Sequence, residues 1–293
     1  MVAVFQLDGA PVRGRIARLG AETIDPILRR HDYPRPVALL LGEALALAAL
    51  IGALFKVEGR LSIQAEGDGP VRLLVAEYRT DGGLRGYARL SDDAAQTLTV
   101  QHAVSPAALI GQGALVITLD QGPDTEQMQG IVPLEGDTLA ACAEYYFDRS
   151  EQTPTRIALA VVEDISPGAG AVWRAGGVLM QRLAGDETRG ETDEGWRTAG
   201  ILFDTVTAAE LADPELAPDR LLYRLFNEMG VRLASGTSVR DFCPCDRERL
   251  AALMRRFNRD ELDELVEPDG AIHARCQFCA RLYLLSPDEL AQS

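Results

Sequence analysis

The sequence contains few of the residues that mark several common functional classes. Of its 293 residues, five are cysteine, three are histidine and one, Lys56, is lysine. The formal net charge is −15. Because phosphate binding requires clustered positive charge, nucleic acid is disfavoured as the main partner. Five cysteines in a chain of this length also exclude a disulfide-dense secreted scaffold.

Signals for export and membrane insertion are also scarce. The N-terminal residues MVAVFQLDGAPVRGR do not combine a basic stretch with an apolar run, so we predict no secretory signal and expect a reducing cytoplasm. One segment, residues 36–55, has the length of a membrane-spanning helix. It contains Glu43, it is rich in alanine and no second such segment follows. We therefore predict that it is a buried core helix.

The order of apolar runs predicts an α+β fold. Strand-like runs rich in β-branched and apolar residues occupy 60–67, 70–78, 114–120, 156–163 and 176–183. Turn signals at 67–70 and 81–83 join neighbouring strands and favour antiparallel pairing. Helices are predicted at 36–55 and 138–149, the second capped by Asp137. Helices interspersed irregularly among such strands favour α+β over a doubly wound sheet.

The composition changes after the last predicted strand. Residues 185–200 include eleven that are charged or glycine, and we predict an exposed loop or linker there. Helices are expected near 204–212 and 218–229. In the latter, an apolar stripe with helical spacing must be covered by other parts of the protein, and packing on the first domain is the simplest cover. The stripe consists of Leu222, Leu225, Phe226 and Met229.

The C-terminal unit, about 241–293, contains four cysteines in two pairs, Cys243-Pro-Cys245 and Cys276-Gln-Phe-Cys279. Residues i and i+2 of an extended segment point to one face, and residues i and i+3 converge across a turn. The spacing is that of a closed tetrathiolate zinc site, which leaves no position for a catalytic water. About fifty residues bury little apolar surface, so the unit is expected to need the metal to fold.

Two short amphipathic helices are predicted between the cysteine pairs. The first is indicated by the spacing of Leu250, Leu253, Met254 and Phe257, and the second by Leu262, Leu265 and Val266. Residues 267–270 form a predicted turn into a strand that delivers Cys276.

The cysteine pairs fit either a structural site or a redox switch, because zinc-bound thiolates can be oxidised and each pair is close enough to cross-link internally. A zinc ribbon that binds nucleic acid is disfavoured, since residues 241–293 carry eleven Asp and Glu against seven Arg. A thioredoxin-like oxidoreductase would place Cys-x-x-Cys at the start of a helix, whereas Cys279 is followed by the strand-like ARLYLLS. A binding module with a purely structural zinc remains open.

The other candidate residues carry weaker signals. His273 lies near the second cysteine pair, but four thiols leave it no necessary role as a ligand, and a surface histidine is expected. His31 and His102 have no partner pattern for nucleophilic catalysis. Cys142 is predicted to be a small buried helix residue. Gly111-Gln-Gly113 lacks the third glycine of a dinucleotide loop.

Five sequence blocks, together with the cysteine pairs, extend the analysis to a family. They are HDYPRPV (31–37), QAEGDGPVRLLV (64–75), RGYARL (85–90), GALVITLD (113–120) and LEGDTLAACAEYYFDRSEQTPT (134–155). On these residues the chain resembles the 33-kDa heat-shock protein family, which are redox-regulated holdase chaperones of bacteria. The resemblance implies a scaffold domain at 1–183, a redox-sensitive linker at 184–240 and a zinc-binding redox-switch domain at 241–293.

The resemblance also implies a mechanism and no enzymatic turnover. In the reduced, inactive form, one Zn²⁺ is held by Cys243, Cys245, Cys276 and Cys279. Oxidation pairs Cys243 with Cys245 and Cys276 with Cys279, zinc leaves, and the C-terminal unit and linker unfold. The protein then forms a homodimer and binds unfolding client proteins without ATP.

Overall fold

The computed structural model describes the 293-residue chain outside residues 56–57, 95–97, 99–104, 123–124, 167–169, 184–191 and 292–293. It divides into two compact units, Met1–Asp241 and Phe242–Ser293. Each unit has a hydrophobic core of its own. The combination of helices with mainly antiparallel sheets confirms the predicted α+β class. His102, Lys56 and residues 185–191 of the polar stretch lie outside the described residues.

The first unit is built from strands that form two sheets and from helices packed on them. Its strands are β1 (Val2–Leu7), β2 (Val12–Leu19), β3 (Arg60–Gly67), β4 (Val71–Arg79), β5 (Gly83–Leu90), β6 (Gly113–Asp120), β7 (Met128–Pro133), β8 (Thr155–Ser166), β9 (Gly170–Arg182), β10 (Val231–Leu233) and β11 (Arg240–Asp241). Its α-helices are α1 (Ala21–Arg29), α2 (Arg35–Gly52), α3 (Pro106–Ile110), α4 (Leu139–Arg149), α5 (Thr192–Phe203), α6 (Ala208–Ala212) and α7 (Pro218–Phe226), and a 3-10 turn follows at Asn227–Met229.

The two sheets confirm the predicted strands and their antiparallel pairing. One sheet has the order β10-β1-β2-β9-β8 and is antiparallel throughout. The other has the order β11-β5-β4-β3-β6-β7, in which β11 runs parallel to β5 and the remaining pairs are antiparallel. The predicted turns at 67–70 and 81–83 connect β3 to β4 and β4 to β5, as tight turns do between antiparallel strands that are adjacent in sequence.

Helix α2 explains the long apolar segment of the sequence. It contacts β2, β8 and β9 of one sheet and β3, β4 and β5 of the other, and 78% of the helix is buried inside the protein. A helix covered on both sides must be apolar around its whole circumference. Gly42 permits the close approach, since a Cβ there would lie 2.8 Å from a methyl carbon of Val161. By length and composition this helix could cross a membrane, but its burial agrees with the predicted core helix.

Glu43 is the one acidic residue of α2, and burial raises its pKa to about 7. The unfolded chain loses this proton near the ordinary value of 4.5. Between these two pH values the folded state holds a proton that the unfolded state has released, so stability falls as pH rises from 4.5 to 7. The loss amounts to about 3 kcal/mol, since each pKa unit corresponds to about 1.4 kcal/mol.

Glu43→Gln should remove this penalty, because a neutral amide of the same shape has no proton to lose. We expect the unfolding temperature of the variant to match that of the wild type near pH 5 and to exceed it increasingly up to pH 8. Thermal unfolding followed by circular dichroism across this range is the measurement. Glu228→Gln, which changes an exposed carboxylate, is the control. A constant difference between Glu43→Gln and wild type at all pH values would contradict the assignment.

The segment after β9 corrects part of the sequence analysis. Residues 192–200 were predicted to be an exposed loop, but they belong to helix α5, in which Ala199 and Phe203 are buried. The predicted helix at 204–212 is limited to α6, which begins with a capping box between Thr207 and Glu210. Charged residues and glycines dominate the composition of α5, so the composition does not reveal that one face of the helix is buried.

Helices α5, α6 and α7 enclose the second hydrophobic core of the first unit. Leu222, Leu225 and Phe226 of the predicted stripe are buried there, and Phe226 stacks on Phe5 of β1 with ring centroids 5.9 Å apart. Met229, the last residue of the stripe, is partly buried against the same core. The prediction that this stripe packs on the first domain is confirmed.

The cap of helix α4 differs by one residue from the prediction. Thr138, not Asp137, is the N-cap, and its hydroxyl accepts a hydrogen bond from the Ala141 amide at 3.1 Å. Both residue types cap helices well, so the choice between adjacent candidates is decided by the backbone angles. Cys142 lies in this helix and is buried, as predicted.

The second unit is small. It contains the helices α8 (Arg247–Met254), α9 (Arg259–Glu264) and α10 (Pro287–Ala291) and a hairpin of strands β12 (Ile272–Arg275) and β13 (Leu282–Leu285). The two predicted helices and the predicted turn are present, and the Gly270 amide closes the turn by donating to the Glu267 carbonyl at 2.8 Å. The buried hydrophobic residues of the unit are Ala251, Leu262, Ile272, Leu285 and Leu290.

The predicted apolar stripes of both helices are wrong in part, since Leu265 of the second stripe is 45% exposed. Leu253 is 56% exposed and Phe257 is 44% exposed, whereas Ala251 faces the core. A helix in so small a unit is held close to its neighbours, and a small side chain fits that contact better than a large one.

Candidate metal centre

The two cysteine pairs are carried by different local structures. Cys243 and Cys245 lie in the non-helical segment directly before α8, which Asp246 begins by accepting a hydrogen bond from the Arg249 amide at 2.8 Å. Cys276 and Cys279 lie in the turn between β12 and β13. We call the first pair the Cys-x-Cys arm and the second pair the Cys-x-x-Cys arm. Both arms belong to the second unit.

The fold brings all four cysteines together. Their Sγ atoms lie within 4.8 Å of one another, and each side chain is half-buried. Two sulfur–sulfur contacts join one arm to the other, at 3.8 Å between the sulfurs of Cys243 and Cys276 and 3.2 Å between those of Cys245 and Cys279. Among the described residues, no other group of three or more His, Cys, Asp or Glu side chains converges in this way.

This donor set fits a soft metal ion. Four converging sulfurs provide the ligands of a tetrahedral thiolate site, and such a site is closed to water and substrate. Burial raises the pKa of Cys279 to about 12, and the neighbouring sulfurs of Cys245, Cys276 and Cys243 also disfavour its ionised form. Four thiolates so close together repel one another, so a bound cation would be needed to hold them all deprotonated.

The turn of the Cys-x-x-Cys arm contains a backbone conformation that its sequence does not favour. The Cys276 amide donates to the Arg281 carbonyl at 3.0 Å, and the Ala280 amide donates to the Cys276 carbonyl at 2.8 Å. To close this turn, Ala280 takes a positive φ of 57°. An L-residue with a Cβ is disfavoured in this left-handed region by about 1–2 kcal/mol, and glycine is not.

Two side chains that the sequence analysis did not single out lie beside the cluster. The Tyr283 hydroxyl is 3.3 Å from Cys245 Sγ, and it donates to the Cys245 carbonyl at 3.1 Å. The contact with the Cys245 sulfur raises the pKa of Tyr283. Tyr283, and then Cys279 and Cys245, raise the pKa of the exposed Arg281 guanidinium. No local pattern marks either residue, because the contact between Tyr283 and Cys245 spans 38 positions.

The remaining candidate residues do not belong to the group of converging sulfurs. His273 is exposed and pairs with Asp269 at 2.8 Å, which lowers the pKa of that carboxyl. It is outside the group of converging sulfurs. His31 lies in the first unit, with its ring 5.4 Å from that of Tyr33. Burial raises the pKa of the Cys142 thiol, which makes it a poor nucleophile and a poor ligand.

Comparison with known proteins places the whole chain in one family. The sequence profile of the family described as "Hsp33 protein" matches residues 1–286. The chain is 52% identical to the 33 kDa chaperonin of Caulobacter vibrioides over 98% of its own length and 95% of that protein. It is 36% identical to the 33 kDa chaperonin of Cronobacter sakazakii, over 98% and 92% of the two chains. The chain belongs to the Hsp33 family.

The fold agrees with this assignment. The crystal structure of the 33 kDa chaperonin (Hsp33) of Thermotoga maritima is similar to the chain with a TM-score of 0.77 and 27% identity, and the match covers 99% of this chain and 96% of that one. The resemblance predicted from the five sequence blocks and the cysteine pairs is confirmed. As a member of the Hsp33 family the chain is a chaperone, whose task is to bind client proteins and not to convert a substrate.

Ala280→Gly should stabilise the Cys-x-x-Cys turn, because glycine relieves the left-handed strain without removing either hydrogen bond. We expect the Cys276 and Ala280 amides to exchange with deuterium about fivefold more slowly, which corresponds to about 1 kcal/mol. Hydrogen exchange resolved by residue is the measurement. Gly270→Ala, at a glycine with a φ of 81°, should speed exchange in its own turn. Unchanged exchange in Ala280→Gly would show that the turn is not strained.

Proposed function

We propose that the four cysteines hold one Zn²⁺ in the reduced chain and that their oxidation activates the protein as a holdase chaperone. The observation that supports this is the convergence of four sulfurs within 4.8 Å in a unit whose core contains five buried hydrophobic residues. Such a unit buries too little apolar surface to be stable alone. Zinc bound to four thiolates contributes about 10–16 kcal/mol of apparent free energy, which in small domains is folding free energy.

The chemistry of activation is a two-electron oxidation of each arm. A thiolate attacks peroxide, the S–O bond forms as the O–O bond breaks, and hydroxide leaves. The second thiolate of the arm then displaces hydroxide from the sulfenic acid to form the disulfide. Each arm therefore consumes one peroxide and two thiolates and yields one disulfide and two hydroxides. After both arms have reacted, the Zn²⁺ has no ligands left in the cluster.

The pairing within arms is what couples oxidation to unfolding. Disulfides between Cys243 and Cys245 and between Cys276 and Cys279 close loops of a few residues and leave the two arms free to separate. Disulfides between arms would instead close loops of more than thirty residues and would replace the zinc as a cross-link. The sulfurs are close enough for both patterns, so the direct test is the pairing itself.

Peptide mapping of the peroxide-treated chain should therefore find Cys243–Cys245 and Cys276–Cys279 as the dominant disulfides. Proteolysis without reduction, followed by mass spectrometry, separates the two patterns because only disulfides between arms join distant peptides. The same digestion after reduction is the control. A dominant Cys243–Cys276 or Cys245–Cys279 product would contradict the proposed switch.

The segment proposed as the linker, 184–240, offers the surfaces that unfolding would release. Its described part covers the second core with α5, α6 and α7, and β10 and β11 form one edge of each sheet. If the unit that follows Asp241 loses its fold, the chain entering it loses an anchor. Separation of this segment would expose Leu222, Phe226 and the face of the sheet beneath them, which are apolar surfaces of the kind that bind unfolding proteins.

The remaining features of the proposal follow from the family and from charge. The oxidised chain is proposed to form a homodimer and to bind unfolded or partially folded clients without ATP in the cytoplasm. It is proposed to bind neither nucleic acid nor membranes, since the net charge of −15 disfavours anionic partners. The alternative is a binding module for protein or nucleic acid with a purely structural zinc, for which chelation would abolish binding and oxidation would never create it.

One experiment tests the central claim. The reduced chain should contain about one zinc per chain, measured by a colorimetric chelator after thiol blocking. Peroxide with mild heating should release the zinc and, at the same time, suppress aggregation of a chemically unfolded client measured by light scattering. Cys276→Ser should fail to retain zinc in the reduced state, because three thiolates no longer close the site.

Cys142→Ala is the matched control, because it removes the one cysteine outside the cluster. It should bind and release zinc like the wild type. Release of zinc without suppression of aggregation would overturn the switch, and binding that disappears on oxidation would favour the structural module.

A further inference from the structure

Tyr283 links the two arms of the cysteine cluster. It lies on β13, opposite Ala274 of β12, close to the turn of the Cys-x-x-Cys arm. Its hydroxyl nevertheless contacts a cysteine of the other arm, with 3.3 Å to Cys245 Sγ and 3.1 Å to the Cys245 carbonyl oxygen. Both distances are within hydrogen-bonding range for their atom types.

The protonation state of the sulfur decides what this contact does. A phenolic hydroxyl carries one proton. A thiol at Cys245 could donate its own proton to the hydroxyl oxygen, but a thiolate can only accept. In the metal-binding state the hydroxyl proton is therefore shared between the sulfur and the carbonyl oxygen. The positive charge of Arg281, which interacts with Tyr283, Cys279 and Cys245, favours the polarised hydroxyl and the negative sulfurs alike.

We propose that Tyr283 is a positioning residue that limits the reactivity of Cys245 by donating a hydrogen bond to its thiolate, supported by the charge of Arg281. The proposed role rests on the proposed zinc site. Tyr283 would set how fast that site reacts with oxidant. A hydrogen bond to a thiolate withdraws the electron pair that attacks peroxide. The same bond stabilises the thiolate as a ligand, as groups around a metal site commonly do for the ligands themselves.

The affected step is the first one at Cys245. Its sulfur attacks one oxygen of peroxide, the S–O bond forms, the O–O bond breaks, and hydroxide leaves with the electron pair. The sulfur must present a lone pair to the peroxide for this to happen. A donor 3.3 Å away occupies one of these lone pairs, so its removal makes the attack faster while the bonds formed and broken stay the same.

Tyr283→Phe is the direct test, because it deletes the hydroxyl and keeps the ring. In the full-length reduced chain, peroxide should release zinc about tenfold faster from this variant than from the wild type, as loss of an outer hydrogen bond typically changes metal sites by 10–100-fold. Tyr223→Phe, at an exposed tyrosine of the first unit, is the matched control and should release zinc at the wild-type rate.

A spectroscopic readout separates this role from a purely structural one. With Co²⁺ in place of zinc, loss of a hydrogen bond to a thiolate should shift the sulfur-to-metal charge-transfer band to lower energy in Tyr283→Phe and leave it unchanged in Tyr223→Phe. A tyrosine that only supports the Cys245 carbonyl would change the unfolding temperature and leave this band in place. An unshifted band in Tyr283→Phe would overturn the proposal.

Arg281→Gln keeps the test decisive if Tyr283→Phe fails to bind metal. It retains ring and hydroxyl and should show a smaller acceleration of zinc release, whereas Arg256→Gln, at an exposed arginine of the same unit, should show none. Equal rates in Arg281→Gln and Arg256→Gln would then reject the proposal. If the wild type itself holds no zinc or keeps it under peroxide, the proposed function fails, and the outcome is distinct from a failure of Tyr283 alone.

Discussion

In the proposed zinc-bound state, the second unit depends on the convergence of its four sulfurs more than on its hydrophobic core. Five buried hydrophobic residues are dispersed over three short helices and one hairpin, and several large apolar side chains of the unit remain exposed. The first unit is different, because α2 lies between two sheets and is covered on both sides. Removing the metal cross-link proposed for the second unit would therefore unfold a part of the chain that has little buried apolar surface, while the first unit keeps its own core.

The segment that precedes the second unit in sequence completes both sheets of the first unit. β10 pairs with β1 at the edge of one sheet, and β11 pairs with β5 at the edge of the other, only a few residues before Cys243. Edge strands with few hydrogen bonds are among the first elements to open. Thr23 supports this stretch by donating to the Val239 carbonyl at 3.0 Å, and Arg30 pairs with Asp241. The segment proposed as the linker is thus joined to both sheets of the first unit shortly before the cysteines in sequence.

The sequence revealed the parts of this arrangement that depend on local spacing. The Cys-x-Cys and Cys-x-x-Cys arms, the strand at 60–67 and the core helix around Glu43 follow from periodicities of two and of 3.6 residues. The sequence does not reveal helix α5, because its buried residues Ala199 and Phe203 are few among charged and glycine residues. Their burial depends on the sheet on which the helix packs. The contact of Tyr283 with Cys245 could not be predicted, because the hairpin register that creates it is a property of the folded unit.

A cluster of thiolates that must both bind metal and react with oxidant is subject to opposing demands. Electron density on sulfur strengthens the bond to the metal and also the attack on peroxide, so the four cysteines alone cannot adjust one property without the other. Groups around the ligands can adjust the two properties separately, since a hydrogen bond to one sulfur lowers the nucleophilicity of that sulfur while it stabilises the ionised form. The position of Tyr283 against a single sulfur, with Arg281 beside it, makes the four sulfurs inequivalent. If Tyr283 has the proposed role, the oxidant threshold of the site is adjusted by a residue that binds no metal.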